Sequence, residues 1–200
     1  MDLTDPTSAA LLCADALDRA GLPFAFYGGL VLAAYGEPRE TRDVDVAVVD
    51  LPAESARSAL ETAGIACVVA FDGTRFGGLS LGRVTLLGGE GHLGLNMLDL
   101  VRPRSARYAA AALGRVVESE LRGRVVRVVT AEDYVLFKAL ATRDRDLEDA
   151  ASVLRRTGDV LDFALLDREV EALAAEIPDW DVRASWAAIQ ARRGAGGPAP

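Results

Sequence analysis

Residues 26–49 read FYGGLVLAAYGEPRETRDVDVAVV, and this stretch decides the fold of the chain. A Gly28-Gly29 pair opens an apolar, helix-like run, and Asp43 and Asp45 begin a strand that starts fourteen residues after Gly29. Residues two apart in a strand point to the same face with Cα atoms roughly 6–7 Å apart, so both carboxylates can converge on one cation. Mg²⁺ takes oxygen ligands at about 2.0–2.1 Å and is usually held by carboxylates together with phosphates. The stretch therefore predicts a metal site on a strand.

The glycine pair adds a second element to this site. If a helix begins at Gly28-Gly29, its unpaired N–H groups and the positive end of its dipole form an anion cradle that faces the metal. Taken singly, an Asp-x-Asp is common on exposed strand ends and a Gly-Gly is usually a turn. The two in this order favour a functional site.

The stretch resembles the signature of the nucleotidyltransferases of the DNA polymerase β superfamily. That signature is hG[GS], a short helix and then [DE]h[DE]h, and here it reads Tyr27-Gly28-Gly29 and Asp43-Val44-Asp45-Val46. The superfamily pattern also asks for a third carboxylate on a neighbouring strand. The alternating run HLGLNMLDLV, residues 92–101, supplies Asp99 on the same face as Leu95, Met97 and Val101.

A second block narrows the resemblance. KALATRDRDLED, residues 138–149, is similar to the K-x-x-A-x-x-x-R and R-x-[KR]-D-x-x-D motifs of the AbiEii-like (MNT-type) toxins. The residues that match are Lys138, Ala141, Arg143, Arg145, Asp146 and Asp149. The preceding VVTAEDYVLFK, residues 128–138, looks like the lead-in of that group, and the resemblance covers roughly residues 22–154.

The resemblance implies an enzyme that uses an NTP and two Mg²⁺ or Mn²⁺ ions to transfer a nucleotide to a hydroxyl. Asp43 and Asp45 would contact both ions, and Asp99 would contact the ion that activates the nucleophile. Gly28 and Gly29 would cradle the β- and γ-phosphates.

Lys138, Arg42, Arg145 and Asp146 complete the predicted nucleotide-binding set. Lys138 is the only lysine of the chain, and it would offer a point charge to the triphosphate. Each of the other three has a plain surface alternative. Arg42 would be merely exposed, Arg145 would pair with Asp149 along a helix, and Asp146 would lie on a solvated helix face.

Composition sets wider limits. The 200 residues are 50% hydrophobic and 26% charged, which predicts a globular chain. The net charge of −8 argues against a protein that coats nucleic acid by long-range attraction, though not against a local basic patch. No apolar run reaches the length of a membrane span, and the N-terminus lacks a signal peptide, so we expect a cytoplasmic protein. Cys13 and Cys67 are expected to be reduced core thiols.

The order of predicted elements indicates an α/β nucleotidyltransferase fold, a mixed β-sheet with helices packed on one face, followed by a C-terminal helical region. Predicted helices cover residues 8–20, 30–35, 52–63, 104–113, 131–142, 144–156, 162–176 and 179–192. Predicted strands cover 24–27, 44–49, 65–71, 79–81, 84–87, a strand around Asp99, 116–118 and 125–129. We expect a core over 1–129, a helical domain over 130–193 beginning at a capping box at Thr130, and a flexible tail over 194–200.

Three functions remain open on this reading. The first is transfer of a nucleotide to a macromolecule, tRNA or protein, by the toxin of a toxin–antitoxin pair with a cognate antitoxin. The second is an aminoglycoside-type enzyme for small molecules, which an acidic rather than arginine-lined acceptor cleft would favour. The third is a catalytically silent nucleotide-binding module, which the presence of all three carboxylates disfavours. His92, the only histidine, is expected to be a loop residue without a catalytic role.

Overall fold

The computed structural model describes residues 5–88 and 96–195. The elements in chain order are α1 (Pro6–Arg19), β1 (Ala25–Tyr27), α2 (Gly29–Tyr35), β2 (Val44–Ala47), α3 (Ala53–Thr62), β3 (Cys67–Phe76), β4 (Leu79–Leu86), β5 (Asn96–Pro103), α4 (Ala106–Gly114), β6 (Val117–Leu121), β7 (Arg124–Val128), α5 (Ala131–Leu140), α6 (Asp144–Thr157), α7 (Phe163–Glu176) and α8 (Val182–Ala195).

Within these ranges the strands form one mixed sheet of seven, in the order β3-β4-β5-β2-β1-β7-β6. The pairs β2–β5 and β1–β7 are parallel, and the other neighbouring pairs are antiparallel. The predicted mixed sheet is confirmed. Because β5 lies between β4 and β2, the strand that carries Asp99 is a direct neighbour of the strand that carries Asp45.

Helices α1 and α3 cover one face of this sheet. A Cβ placed on Gly82 of β4 would lie 3.3 Å from Ala53 of α3, so Gly82 and its strand partner Leu100 face these helices. Successive strand residues point to opposite faces. Asp99, the residue before Leu100, therefore points to the other face, which we call the cleft face.

Helix α5 lies over the cleft face beside β1. The ring of Tyr27 packs against Phe137 and Tyr134 of α5, with centroids 5.0 Å and 5.4 Å apart. The predicted capping box begins this helix, since the Thr130 side chain accepts a hydrogen bond from the Asp133 N–H. The division into a core and a helical domain at residue 130 stays a prediction.

Two strands differ most from the sequence prediction. The runs 79–81 and 84–87 were expected to be separate, yet β4 is continuous, because Gly82 lets Ala53 approach the strand instead of ending it. Strand β3 continues five residues beyond the predicted end at Phe71, because Asp72-Gly73 forms a bulge and not a turn. Gly73 has φ +68°, and the register with β4 shifts between Phe71 and Thr74.

Some predictions lie outside the described residues. They concern His92 and the last five residues of the tail, whereas Gly194 and Ala195 belong to α8. None of the helices in the described part of the chain combines the length and apolar character that a membrane span requires.

Candidate active site

Five residues from five neighbouring strands lie side by side on the cleft face. Tyr27 pairs with Asp45, Asp45 with Asp99, Asp99 with Arg83, and Arg83 with Phe71. Directly paired residues on adjacent strands share a face, and adjacent strands lie about 4.8 Å apart. We call these five residues the cross-sheet row. It places two carboxylates, a guanidinium and an aromatic ring next to one another in that order.

Asp43 and Asp45 face the same cleft and have unusual proton affinities. Burial raises the pKa of both carboxyl groups, and the neighbouring Asp99 carboxylate raises it further. The pKa of Asp45 reaches about 7, although the Lys138 ammonium opposes the shift. A bound cation would relieve this repulsion between carboxylates. The local electrostatics therefore favour cation binding at Asp43 and Asp45.

Asp99 is buried and is held at both oxygens by Arg83. Arg83 Nε lies 2.7 Å from Asp99 Oδ1, and Arg83 Nη2 lies 2.7 Å from Asp99 Oδ2. Such bidentate pairs are among the strongest between side chains. The third carboxylate thus lies on the strand beside Asp45, where the sequence pattern places it, but both of its oxygens already have a cationic partner.

The fit of these residues to a divalent cation is therefore partial. Aspartate oxygens are the donors that Mg²⁺ and Mn²⁺ prefer. Within residues 5–88 and 96–195, no three potential metal-binding side chains are grouped closely enough to hold an ion. Asp43 and Asp45 could bind one together with substrate phosphates, whereas Asp99 would contribute only after Arg83 releases it. The aspartate oxygens suit a divalent cation, but Arg83 competes with the cation for Asp99.

Gly28 and Gly29 allow two side chains to approach the backbone closely. Gly28 has φ +72°, in the region that favours glycine, and a Cβ there would overlap the Asp45 carboxylate. A Cβ on Gly29 would lie 2.6 Å from the Thr41 Cβ. Each glycine is therefore required by packing around Asp45 and Thr41. Their predicted contact with phosphates stays a prediction.

The carboxylates open into a cleft of about 610 Å³ on this face. Its arginines are Arg39, Arg42, Arg83, Arg143 and Arg145, and its apolar wall includes Phe71, Phe76, Leu79, Leu81 and Val101. The predicted residues Arg42 and Arg145 are both exposed and line the cleft, and their contact with a nucleotide stays a prediction. The cleft is thus lined by arginine as well as by acid.

Lys138 of α5 lies behind the residues that line the cleft and is only 2% exposed. Its Nζ is 2.7 Å from Asp146 Oδ1 and 3.0 Å from Asp149 Oδ2. The same atom lies 5.4 Å and 5.5 Å from the ring centroids of Tyr27 and Tyr134. To touch a triphosphate, the ammonium would have to leave both carboxylates. The surroundings favour a positioning role for Lys138, and its predicted phosphate contact stays a prediction.

Lys138, Asp146 and Asp149 form what we call the buried charge cluster, and the more exposed Arg39 and Arg143 pair with its aspartates. Arg143 Nε donates to Asp146 Oδ2 at 2.9 Å, and Arg39 Nη2 donates to Asp149 Oδ2 at 3.0 Å. Burial raises the pKa of both aspartates, but the surrounding cations outweigh it and leave each pKa below its ordinary value. The cluster therefore keeps both carboxylates ionised under the cleft.

Two of the surface alternatives fail at this cluster. Asp146 is 2% exposed, so it does not lie on a solvated helix face. The Arg145–Asp149 pair is not formed, because Asp149 is engaged by Arg39 and Lys138.

Sequence reasoning missed Arg83, Phe71 and Phe76. A signal for Arg83 was present, because Arg83 is a charged residue two positions after the apolar Leu81 and therefore on the same strand face. Its aspartate partner could not be identified without the register between β4 and β5.

Comparisons with known proteins identify the family and the fold of the chain. A family model described as a nucleotidyl transferase of unknown function (DUF2204) matches residues 8–185. A candidate nucleotidyltransferase from H. pylori aligns over 94% of this chain and 92% of its own, with a TM-score of 0.51 and 12% identity. An antigenic nucleotidyltransferase-like protein from Paracoccidioides brasiliensis aligns over 93% and 92%, with a TM-score of 0.51 and 18% identity.

A third structure, the antibiotic-resistance factor ANT(2'')-Ia, aligns over 96% of this chain and 100% of its own at 17% identity, with a TM-score of 0.48. No curated protein sequence matches the chain. At these identities the structural likeness concerns the fold alone.

Proposed function

Since the chain belongs to the DUF2204 family of nucleotidyl transferases and is a nucleotidyltransferase enzyme, we propose that it transfers a nucleotide from an NTP to a hydroxyl of a macromolecule. The observation that carries the proposal is the set Asp43, Asp45 and Asp99 under an arginine-lined cleft. In the reaction the acceptor oxygen bonds to the α-phosphorus, the bond to the β-phosphate oxygen breaks, and pyrophosphate leaves. Positioning and neutralisation of charge lower the barrier of such transfers.

The residues of the cleft would have different roles in nucleotide transfer. Asp43 and Asp45 would hold Mg²⁺ or Mn²⁺, which when bound supplies charge neutralisation at the phosphates. Asp99 would orient the acceptor hydroxyl and accept its proton. Arg42, Arg143 and Arg145, together with the N–H groups of Gly28 and Gly29, would bind the triphosphate, which leaves Arg83 on the opposite side of the carboxylates.

The arginines of the cleft support an acceptor that carries phosphates, such as tRNA. An aminoglycoside-type acceptor is polycationic, and the five carboxylates of the same cleft, Glu40, Asp43, Asp45, Asp99 and Asp146, would attract it. The aminoglycoside alternative therefore stays the second candidate, and the net charge of −8 would also suit a cationic substrate.

The block at 138–149, which resembles the AbiEii-like motifs, supports a role as the toxin of a toxin–antitoxin pair. In that case a cognate antitoxin protein would block either the cleft or the acceptor.

Transfer can be tested by incubating the protein with each labelled NTP, total RNA and cell lysate. We expect label on a macromolecule with the wild type and none with Asp43→Asn, because the amide keeps the size of the side chain but removes a negative charge. Asp18→Asn on the exposed part of α1 is the matched control. Undiminished labelling by Asp43→Asn would contradict the site, and label on a small molecule would favour the alternative.

Expression of the chain without an antitoxin tests whether nucleotide transfer causes toxicity. The wild type should slow bacterial growth, whereas Asp43→Asn should not. Equal toxicity of both proteins would mean that binding, and not nucleotide transfer, causes the growth defect.

A further inference from the structure

Arg83 differs from the other paired arginines of the cleft in the partner it has. Arg39 and Arg143 pair with Asp149 and Asp146 of the buried charge cluster. Arg83 instead pairs with Asp99, a carboxylate of the proposed reaction centre. Its side chain is 28% exposed, so a ligand in the cleft can reach the guanidinium without unfolding any element.

Aromatic surface continues from Arg83 toward the edge of the sheet. The guanidinium carbon of Arg83 lies 5.6 Å from the ring centroid of Phe71, its partner in the cross-sheet row. Phe76 on the same strand lines the cleft and is 40% exposed. Passing from Asp99 to the edge strand, an acceptor would meet first a planar cation and then an apolar ring.

This order matches the parts of a nucleotide. A guanidinium binds phosphate oxygens in a bidentate manner, and aromatic rings stack on the π-face of any base. If Asp99 receives the acceptor hydroxyl, as the proposed function requires, the rest of the terminal nucleotide lies over the residues beyond Asp99. Those residues are Arg83 and Phe71.

We propose that Arg83 and Phe71 form the acceptor subsite, in which Arg83 exchanges the Asp99 carboxylate for a phosphate of a single-stranded nucleic-acid acceptor while Phe71 stacks on its base. No covalent bond changes in this exchange, because one charge-assisted hydrogen-bonded pair replaces another. The release of Asp99 is thereby coupled to the arrival of the acceptor. The inference rests on the proposed function for the role of Asp99.

The exchange makes a thermodynamic prediction. Both oxygens of Asp99 are occupied in the free protein, so an acceptor that removes Arg83 makes them available to a divalent cation. By linkage, acceptor and cation must then raise each other's affinity by the same factor. Removing the Arg83 side chain should abolish that coupling.

The first measurement is acceptor binding. The probe is a single-stranded RNA of about eight nucleotides with a free 3′ hydroxyl and a 5′ fluorescein, followed by fluorescence anisotropy at fixed salt. Arg83→Met should weaken RNA binding by about tenfold or more, because it removes a charge-assisted contact with a phosphate. Arg83→Lys should weaken RNA binding by less, because lysine keeps the positive charge. Phe71→Leu should weaken binding by about fivefold or more through lost stacking.

Arg124→Met is the matched control, because Arg124 is also a strand arginine paired with an aspartate, Asp15, but lies outside the cleft. Its RNA affinity should equal that of the wild type. Circular dichroism melting of every variant establishes folding. If Arg83→Met does not fold, Arg83→Lys and Phe71→Leu still test the subsite.

The second measurement is Mn²⁺ binding by electron paramagnetic resonance, with and without the same RNA. In the wild type, saturating RNA should raise the Mn²⁺ affinity. In Arg83→Met, the affinity should be high already without RNA and should not respond to it. This readout requires no turnover, so it does not depend on the identity of the NTP.

Different results would overturn different claims. RNA affinity that is equal in the wild type and Arg83→Met, or no binding of RNA to the wild type, would refute the acceptor subsite. An RNA-independent Mn²⁺ affinity in the wild type would refute the exchange at Asp99. Arg83-dependent RNA binding without any nucleotide transfer would instead refute the proposed function and leave the subsite in place.

Discussion

Folding favours the neutral form of the Asp45 carboxylate. Burial and the nearby Asp99 raise its pKa from the ordinary 3.8 to about 7, so the folded state binds the proton more tightly than the unfolded state does. The free energy of unfolding is unaffected below about pH 4 and falls as the pH rises from about 4 to 7, with a loss on the order of 2–4 kcal/mol. The Asp45 carboxylate therefore destabilises the protein when no cation is bound.

Asp45→Asn should remove this loss. In urea unfolding with EDTA, the variant should match the wild type near pH 4 and exceed it by about 2 kcal/mol or more at pH 8. Asp18→Asn, an exposed change on α1, serves as the control. A stability difference that does not grow with pH would show that Asp45 titrates normally.

Lys138 is a second residue whose environment determines its role. Removing its ammonium leaves Asp146 and Asp149 buried without their central cation, so Lys138→Met should lower the free energy of unfolding by about 3–5 kcal/mol. Lys138→Arg should not restore stability, because the side chain is enclosed between Tyr27 and Tyr134.

Chemical denaturation of the Lys138 variants measures this loss. Arg143→Met is the control at the edge of this cluster, since the Arg143 side chain is 74% exposed and the expected loss is at most about 1 kcal/mol. Normal stability of Lys138→Met together with weakened NTP binding would restore direct phosphate contact as its role.

At this scale the sequence predicted the acids better than the bases. The positions of Asp43 and Asp45 follow from their spacing in a predicted strand, and that of Asp99 follows from the superfamily resemblance together with an alternating run. The partners of Arg83 and Lys138 do not, because pairing and burial depend on strand register and helix packing. A solitary lysine in an arginine-rich chain indicated that the position was special, but not that it was buried.

At the scale of elements, helix α6 holds the segment that carries Asp43. Residues 36–43 connect α2 to β2, so Asp43 itself precedes the strand. Arg156 of α6 donates to the Gly36 carbonyl, the Glu37 N–H donates to Ser152 Oγ at 3.2 Å, and Arg39 is bidentate to Asp149. The position of Asp43 therefore depends on a helix more than 100 residues later in the chain.

Arg39→Met should loosen this connection. We expect faster amide exchange over residues 37–42 and a fall of about 1–2 kcal/mol in the free energy of unfolding, since the lost pair is partly buried. Arg42→Met, an exposed arginine of the same segment, is the control. Hydrogen exchange with mass spectrometry measures the effect, and equal protection in the two variants would mean that the pair does not restrain the segment.

The elements that were mispredicted have a common cause. Asp72-Gly73 and Gly82 have the composition of turns, and sequence reasoning ended strands at both. Gly73 instead forms part of a β-bulge, and Gly82 leaves space for Ala53 of α3. Glycine marks a backbone constraint in each case, and only the neighbouring elements decide which one.

At the scale of the whole molecule, the arginines of the cleft contrast with a net charge of −8. Long-range attraction should contribute little to binding of nucleic acid, so affinity has to come from contacts inside the cleft. The order of strands and helices predicted the sheet. It did not predict that α5 would cross to the cleft face, because that contact joins Tyr27 to Phe137 across most of the chain.

The cross-sheet row sets the spacing of the side chains that an acceptor meets in the cleft. Neighbouring residues of the row are about 4.8 Å apart, because main-chain hydrogen bonds set the distance between strands. A substitution changes the length of a side chain in the row, whereas the sheet sets the spacing between the backbones of Asp99, Arg83 and Phe71. A protein of this fold with another acceptor would therefore differ in the residues at these positions. An acceptor whose functional groups do not match the strand spacing would require a different order of strands.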